Sequence, residues 1–163
     1  MLIQDFVQIL CPFAQVRDDL LRDPHEILDE HISAGYHDGE ALLVTLGPSL
    51  KHPRLGKKVW VDFGKPYSRG DGLVLPVAWW ARGPSYLFPC LDGDLEVTPL
   101  GDFTTQITLM GRYEPPLGAP GTGLDRVLLH RVAEASVRSF LSRLSDRLQQ
   151  HDSVATTGML RHA

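Results

Sequence analysis

Gly118 and Gly123 bracket four residues, the spacing at which a glycine-rich loop cradles a phosphate, and a helix-like apolar period follows them. That chemistry also needs a lysine to neutralise the anion and a hydroxyl to hold magnesium. The two positions after Gly123 are Leu124 and Asp125. Leucine neutralises nothing, and aspartate sets a negative charge where the phosphate would lie. The preceding stretch, ITLMGRYEPP, has antiparallel-strand character and ends in two prolines. Nucleotide binding is therefore set aside. Pro115, Pro116, Gly118, Pro120, Gly121 and Gly123 instead make a stiff, sharp connection. Asp125 then falls in a first helical turn, where its charge complements the helix dipole.

Other chemistry-bearing residues are scattered. His25, His31 and His37 lie among Glu26, Asp29 and Asp38. Metal ligands on one helix lie three or four apart, and these histidines recur every six, so they fall on different faces and no metal site is expected. His130 is the best acid–base candidate, because histidine ordinarily titrates near neutrality. It lies two residues from both Leu128 and Val132, so it flanks an apolar helix face. Tyr86 and Glu96 are weaker candidates, and Asp62, Glu96 and Arg112 also read as solvated strand residues or ion pairs. No Ser/His/Asp or Cys/His arrangement emerges. Cys11 and Cys90 each neighbour a proline and read as small buried hydrophobes.

These residues need elements to position them. DFVQILCPF reads as a first strand. FAQVRDDLLRD places Phe13, Val16, Leu20 and Leu21 at helical spacing, and DPHEILDEHIS offers Asp23 as N-cap, Pro24 as first helical residue and Gly35 as terminator. From Glu40 the chain turns to β-branched and aromatic runs broken by Gly, Pro and Asp, as in an antiparallel meander. SRGDG, LDGD and Gly101–Asp102 read as its turns. Thr105, Ile107, Leu109 and Gly111 alternate with polar neighbours, giving a sheet with one apolar face. Pro66, Pro76, Pro89, Pro99, Gly64 and Gly111 are devices that bend strands. Finally, Leu124, Leu128, Val132, Val137, Phe140, Leu141, Leu144 and Leu148 recur near a 3.6 period, which predicts a long amphipathic helix.

The chain has 163 residues and a net charge of −4 with mixed signs. One domain is expected over residues 1–150, with 151–163 as a flexible tail. No basic face suggests nucleic acid. The N-terminus lacks a basic leader region, no apolar run approaches the roughly 20 residues of a membrane span, and the two cysteines fit a reducing compartment. A cytoplasmic protein without stable membrane insertion is expected.

The element order, a strand, two short helices, antiparallel strands and one long C-terminal helix, resembles the START-like (SRPBCC) superfamily, and within it the polyketide cyclase/dehydrase-type proteins. The residues that carry this are GDLEVTPLG, TTQITLMGRY, PPLG and the terminal helix. The resemblance spans roughly Phe6 to Leu148. It implies an α+β helix-grip fold: a strongly curved antiparallel sheet of six or seven strands wrapped around the last helix, with a cavity between them. It also implies a small hydrophobic guest, such as a lipid or polyketide; a carrier of such a guest needs no cofactor. The superfamily motif is a shape, and fold alone does not select a reaction.

Within that frame Trp60, Trp79, Trp80, Phe88, Tyr113, Leu128, Val132 and Phe140 are the residues expected to line the cavity. Each also reads as ordinary core. Trp79 and Trp80 are adjacent in a strand, so they face opposite sides. The inner one lines core or cavity, and the outer one meets solvent, a covering helix or a homodimer partner. Three functions remain open: a carrier of a small apolar molecule; a cyclase or dehydratase using His130, Tyr86 or Glu96; and a dimerising module whose cavity is filled by its own side chains.

Overall fold

A computed structural model describes residues 1–25, 27–28, 59–81, 90–114 and 126–159. The architecture is α+β. Strand β1 (Leu2–Ile9) is followed by helix α1 (Phe13–Arg22), then by β2 (Val59–Phe63), β3 (Tyr67–Arg69), β4 (Gly72–Ala81), β5 (Cys90–Pro99) and β6 (Thr105–Glu114), and finally by helix α2 (Arg126–Met159). The strands form one antiparallel sheet in the order β1-β6-β5-β4-β2, with β3 pairing the end of β4.

Alternation sorts the sheet into two faces. On the inner face Ile3, Val7 and Ile9 of β1 join Ile107, Leu109 and Tyr113 of β6, Leu91, Leu95 and Val97 of β5, and Leu73, Leu75, Val77 and Trp79 of β4. The outer face carries Gln4, Thr108, Arg112, Asp92, Asp94 and Glu96. β2 and β3 run in line along one edge of β4, joined by residues 64–66, and a tight turn then leads from β3 into β4. Gly70 makes that turn at φ +58°, a left-handed conformation that favours glycine. The expected turn at SRGDG is thus in place, as is the one at Gly101–Asp102, closed by the Leu100 N–H donating to Thr104 O at 2.9 Å.

LDGD is not a turn. Leu91 to Asp94 run straight through β5, paired on both sides. Gly93 faces Gly111 across the β5–β6 ladder. A Cβ on Gly93 would sit 2.4 Å from Met110 O and 2.7 Å from Gly111 Cα, and one on Gly111 would sit 2.6 Å from Asp92 O. The two backbones approach too closely there for any side chain. This pair is the fold line of the sheet, and glycine composition that suggests a turn here serves curvature.

The last helix lies in the curve. Ala133, Val137, Phe140, Leu141, Leu144 and Leu148 form its buried stripe and merge with the inner face of the sheet into one core. It runs alongside β1: His130 Nδ1 is 3.3 Å from Met1 Sδ, and Arg138 Nε donates to Asp5 Oδ2 at 3.3 Å. The helix continues past residue 150 to Met159. At its other end the sheet is tied to the first helix. Thr105, fully buried, donates its hydroxyl to Cys11 O at 2.7 Å, just before Pro12 opens α1 by accepting from the N–H groups of Gln15 and Val16. Removing that hydroxyl while keeping the shape, as in Thr105→Val, leaves a buried carbonyl short of a donor. It is expected to cost about 1.5 kcal/mol, seen as a melting temperature lower by about 4 °C.

A further helical turn opens at Pro24, with the Ile27 N–H donating to Asp23 O and with Ile27 and Leu28 buried in the core. The rest of the second expected helix, to Gly35, lies outside the described residues. So does the expected strand at ALLVTLGP.

Candidate ligand site

The strand registers stack the inner face into transverse rows. The row nearest the rim at which β4, β5 and β6 leave the sheet runs Tyr113–Leu91–Trp79–Val61, each residue the ladder partner of the next. Tyr113, Leu91 and Trp79 are almost fully buried. The next row is Gly111–Gly93–Val77–Phe63, so the fold line lies directly behind the aromatic row. The last helix packs against this row. There Phe140 meets it, its ring 6.0 Å from that of Trp79 and inclined at 57°. Aromatic rings thus close on one another from the sheet and from the helix. Their surface is apolar, with an indole N–H and a phenol as its polar points.

Of the tryptophan pair, Trp79 is the inner residue and Trp80 stands on the outer face, 43% exposed. Parity with Leu73, Leu75 and Val77 fixes this. Trp80 is therefore not part of the inner surface. Trp60 is its ladder partner in β2. The side chains of Trp60, Leu128 and Val132 lie outside the described residues, as do Tyr86 and Phe88 entirely. Of the eight lining residues expected from sequence, Trp79 and Phe140 meet ring to ring, and Tyr113 shares the row of Trp79 through Leu91. Leu91 and Val61 complete the row, and period-two alternation with Leu95 and with Phe63 marks both as inner residues.

The acid–base candidates lie elsewhere. Glu96 alternates outward between buried Leu95 and Val97 and sits 3.6 Å from Arg69 Nη1, which shares that cation with Asp94. His130 is half exposed and paired with Glu134 at 3.2 Å, one helical turn away. Neither faces the core. One carboxylate does stand on the inner parity of the sheet. Asp5, on β1, is held by Arg138 at the margin. A shallow groove of about 130 Å³ opens beside it, lined by Asp5, Phe6, Val7, Arg138, Leu141, Ser142 and Ser145.

Cys90 faces outward opposite Glu114, and burial, together with that carboxylate's charge, raises its thiol pKa. It stays protonated near neutral pH and is a poor nucleophile. Among the described residues no group of three or more potential metal ligands assembles, and no helix is long and apolar enough to cross a membrane.

Solved structures resemble this arrangement. A conserved protein from Geobacillus kaustophilus superposes with a TM-score of 0.53 at 15% identity, covering 92% of this chain and 96% of its own. Hypothetical protein jhp0584 from Helicobacter pylori superposes at 0.51 and 13% identity, covering 90% and 87%. The Zhui aromatase/cyclase from a Streptomyces species is more distant, at 0.47 and 13% identity over 92% and 94%. No protein-family model matches the chain, and no curated protein matches it in sequence. What the first two of these share with the chain is architecture alone: a curved antiparallel sheet gripping its C-terminal helix, the helix-grip fold.

Proposed function

We propose that the chain is a START-like protein of the cytoplasm that binds and carries a small hydrophobic molecule, such as a lipid or polyketide, against the aromatic row between sheet and helix. The observation that carries this reading is the Tyr113–Leu91–Trp79 row at the rim of the inner face, with Phe140 of the helix packed on Trp79. A guest lodged there gains affinity through its own apolar area removed from water, at roughly 25 cal/mol per Å² before the entropy cost of binding. The indole N–H of the row orients a polar substituent. Binding in this mode needs no cofactor.

Native mass spectrometry of the protein from its own host, with titration of a fluorescent fatty acid, tests the reading. A co-purifying apolar mass is expected. Trp79→Ala is expected to weaken the fatty acid about tenfold, through loss of one large contact, whereas Trp80→Ala leaves its affinity unchanged. A protein that neither carries an apolar mass nor binds the probe overturns the proposal, and so does equal weakening by the two variants.

A further inference from the structure

The outer edge of β1 has a symmetry of its own. Among the described residues β1 pairs with β6 on one side and with nothing on the other. Met1 and Tyr113 exchange both ladder hydrogen bonds, at 2.7 and 2.8 Å. In an antiparallel ladder this assigns the odd residues of β1 to β6 and points the N–H and C=O of Leu2, Gln4, Phe6 and Gln8 at the open edge. The segment reads Leu2-Ile3-Gln4-Asp5-Phe6-Val7-Gln8-Ile9-Leu10. About Phe6 it is a near-palindrome: Leu2 mirrors Leu10, Ile3 mirrors Ile9, and Gln4 mirrors Gln8. Leu2, Phe6 and Leu10 are also 79%, 57% and 76% exposed, an apolar cost in water that the fold of one chain leaves in place.

We propose that this edge is a homodimer interface, on which a second copy of the chain adds its own β1 antiparallel about a two-fold axis at Phe6. In that register Phe6 faces Phe6 of the second copy, Gln4 faces Gln8 and Leu2 faces Leu10, so like meets like at every position of the outer face. A two-fold contact requires such self-complementarity. Aromatic pairs and amide-to-amide hydrogen bonds both stabilise cross-strand neighbours. The outer row carries no charge and no proline, the usual devices that keep an edge from pairing. The inward charge at Asp5 is balanced by Arg138 of the same chain, so two Asp5–Arg138 pairs flank the axis with no net charge. In the single chain the Phe6 N–H donates to Asp5 Oδ1 at 2.9 Å. On pairing, the carbonyl of the second Phe6 replaces that acceptor and Asp5 keeps Arg138. This inference is independent of the ligand reading.

Sedimentation of the wild-type chain over a range of concentrations tests it. A reversible dimer is expected. Phe6→Lys places two like charges opposite each other on the axis and is expected to raise the dimer dissociation constant about a hundredfold or more, with its circular dichroism unchanged. Phe103→Lys, at a still more exposed apolar position away from the edge, leaves the dimer intact. Phe6→Cys gives a second readout. Residues paired on the axis lie about 5.5 Å apart at Cα, within disulfide range, so mild oxidation is expected to yield a covalent dimer that Phe103→Cys does not give. A wild-type chain that stays monomeric overturns the proposal. A dimer that survives Phe6→Lys, or that Phe103→Lys dissolves, overturns it equally.

Discussion

Gly93→Ala is expected to be among the most damaging single-methyl changes in the molecule. The added carbon would fall 2.4 Å from Met110 O and 2.7 Å from Gly111 Cα. Both are backbone atoms, so no side-chain rotation relieves the clash. The two strands must part where β5 carries a ladder on either side. Overpacking of this kind costs about 3 kcal/mol, a melting temperature lower by about 9 °C for a chain this size. Gly111→Ala meets Asp92 O at 2.6 Å and Gly93 Cα at 2.8 Å and is expected to cost about as much. Because the two sites share one contact, the double variant is expected to lose less than the sum. Gly101→Ala is the control. Nothing lies within 4 Å of its added carbon, and it should stay within about 0.5 kcal/mol of the parent. Thermal denaturation of the four proteins decides the matter. A Gly93→Ala protein as stable as Gly101→Ala would mean that the strands do not touch at this point and that the sheet bends elsewhere.

That fold line shows where sequence reading stops. Gly111 is legible as a bend because it interrupts the run Thr105, Ile107, Leu109 on one parity. Gly93 sits in LDGD, whose composition is that of a turn, and local composition outweighs the alternation Leu91, Leu95, Val97 that carries the strand through it. Only the register, a property of two segments far apart in sequence, sets Gly93 opposite Gly111. The same holds at the site. The inward parity of Trp79 follows from Leu73, Leu75 and Val77, and the outward parity of Glu96 from its two buried neighbours, so both were available from the strand pattern. That Trp79, Leu91 and Tyr113 form one row, and that Phe140 descends on it, depends on strand pairing and on the helix's rotation about its axis, which no short-range pattern records. His130 illustrates the same limit. Its spacing places it at the flank of the apolar stripe, and the helix sets it at the surface between Met1 Sδ and Glu134. Which side of the flank it takes depends on the helix's rotation, which spacing alone does not give.

Phe140→Ala separates the two roles of the aromatic row. Phe140 is fully buried and its ring packs on Trp79. Truncation to alanine removes the contact and leaves a void, at a cost of about 3–5 kcal/mol. Part of that belongs to the ring pair: a cycle with Trp79→Ala is expected to show a coupling of about 1 kcal/mol. Stability and binding should then move in opposite directions. An apolar void stays dry and accepts an apolar molecule of matching size, and a ligand that binds only the folded state restores stability in proportion to the logarithm of its concentration. On the proposed function, Phe140→Ala lowers the melting temperature without guest and recovers more of it than wild type does when a bulky apolar guest is added. Trp79→Ala lowers it and recovers less, because it removes the wall on which the guest lies. If neither variant responds to any apolar guest, the row is core alone, and its aromatic residues serve only to hold the helix in the grip of the sheet.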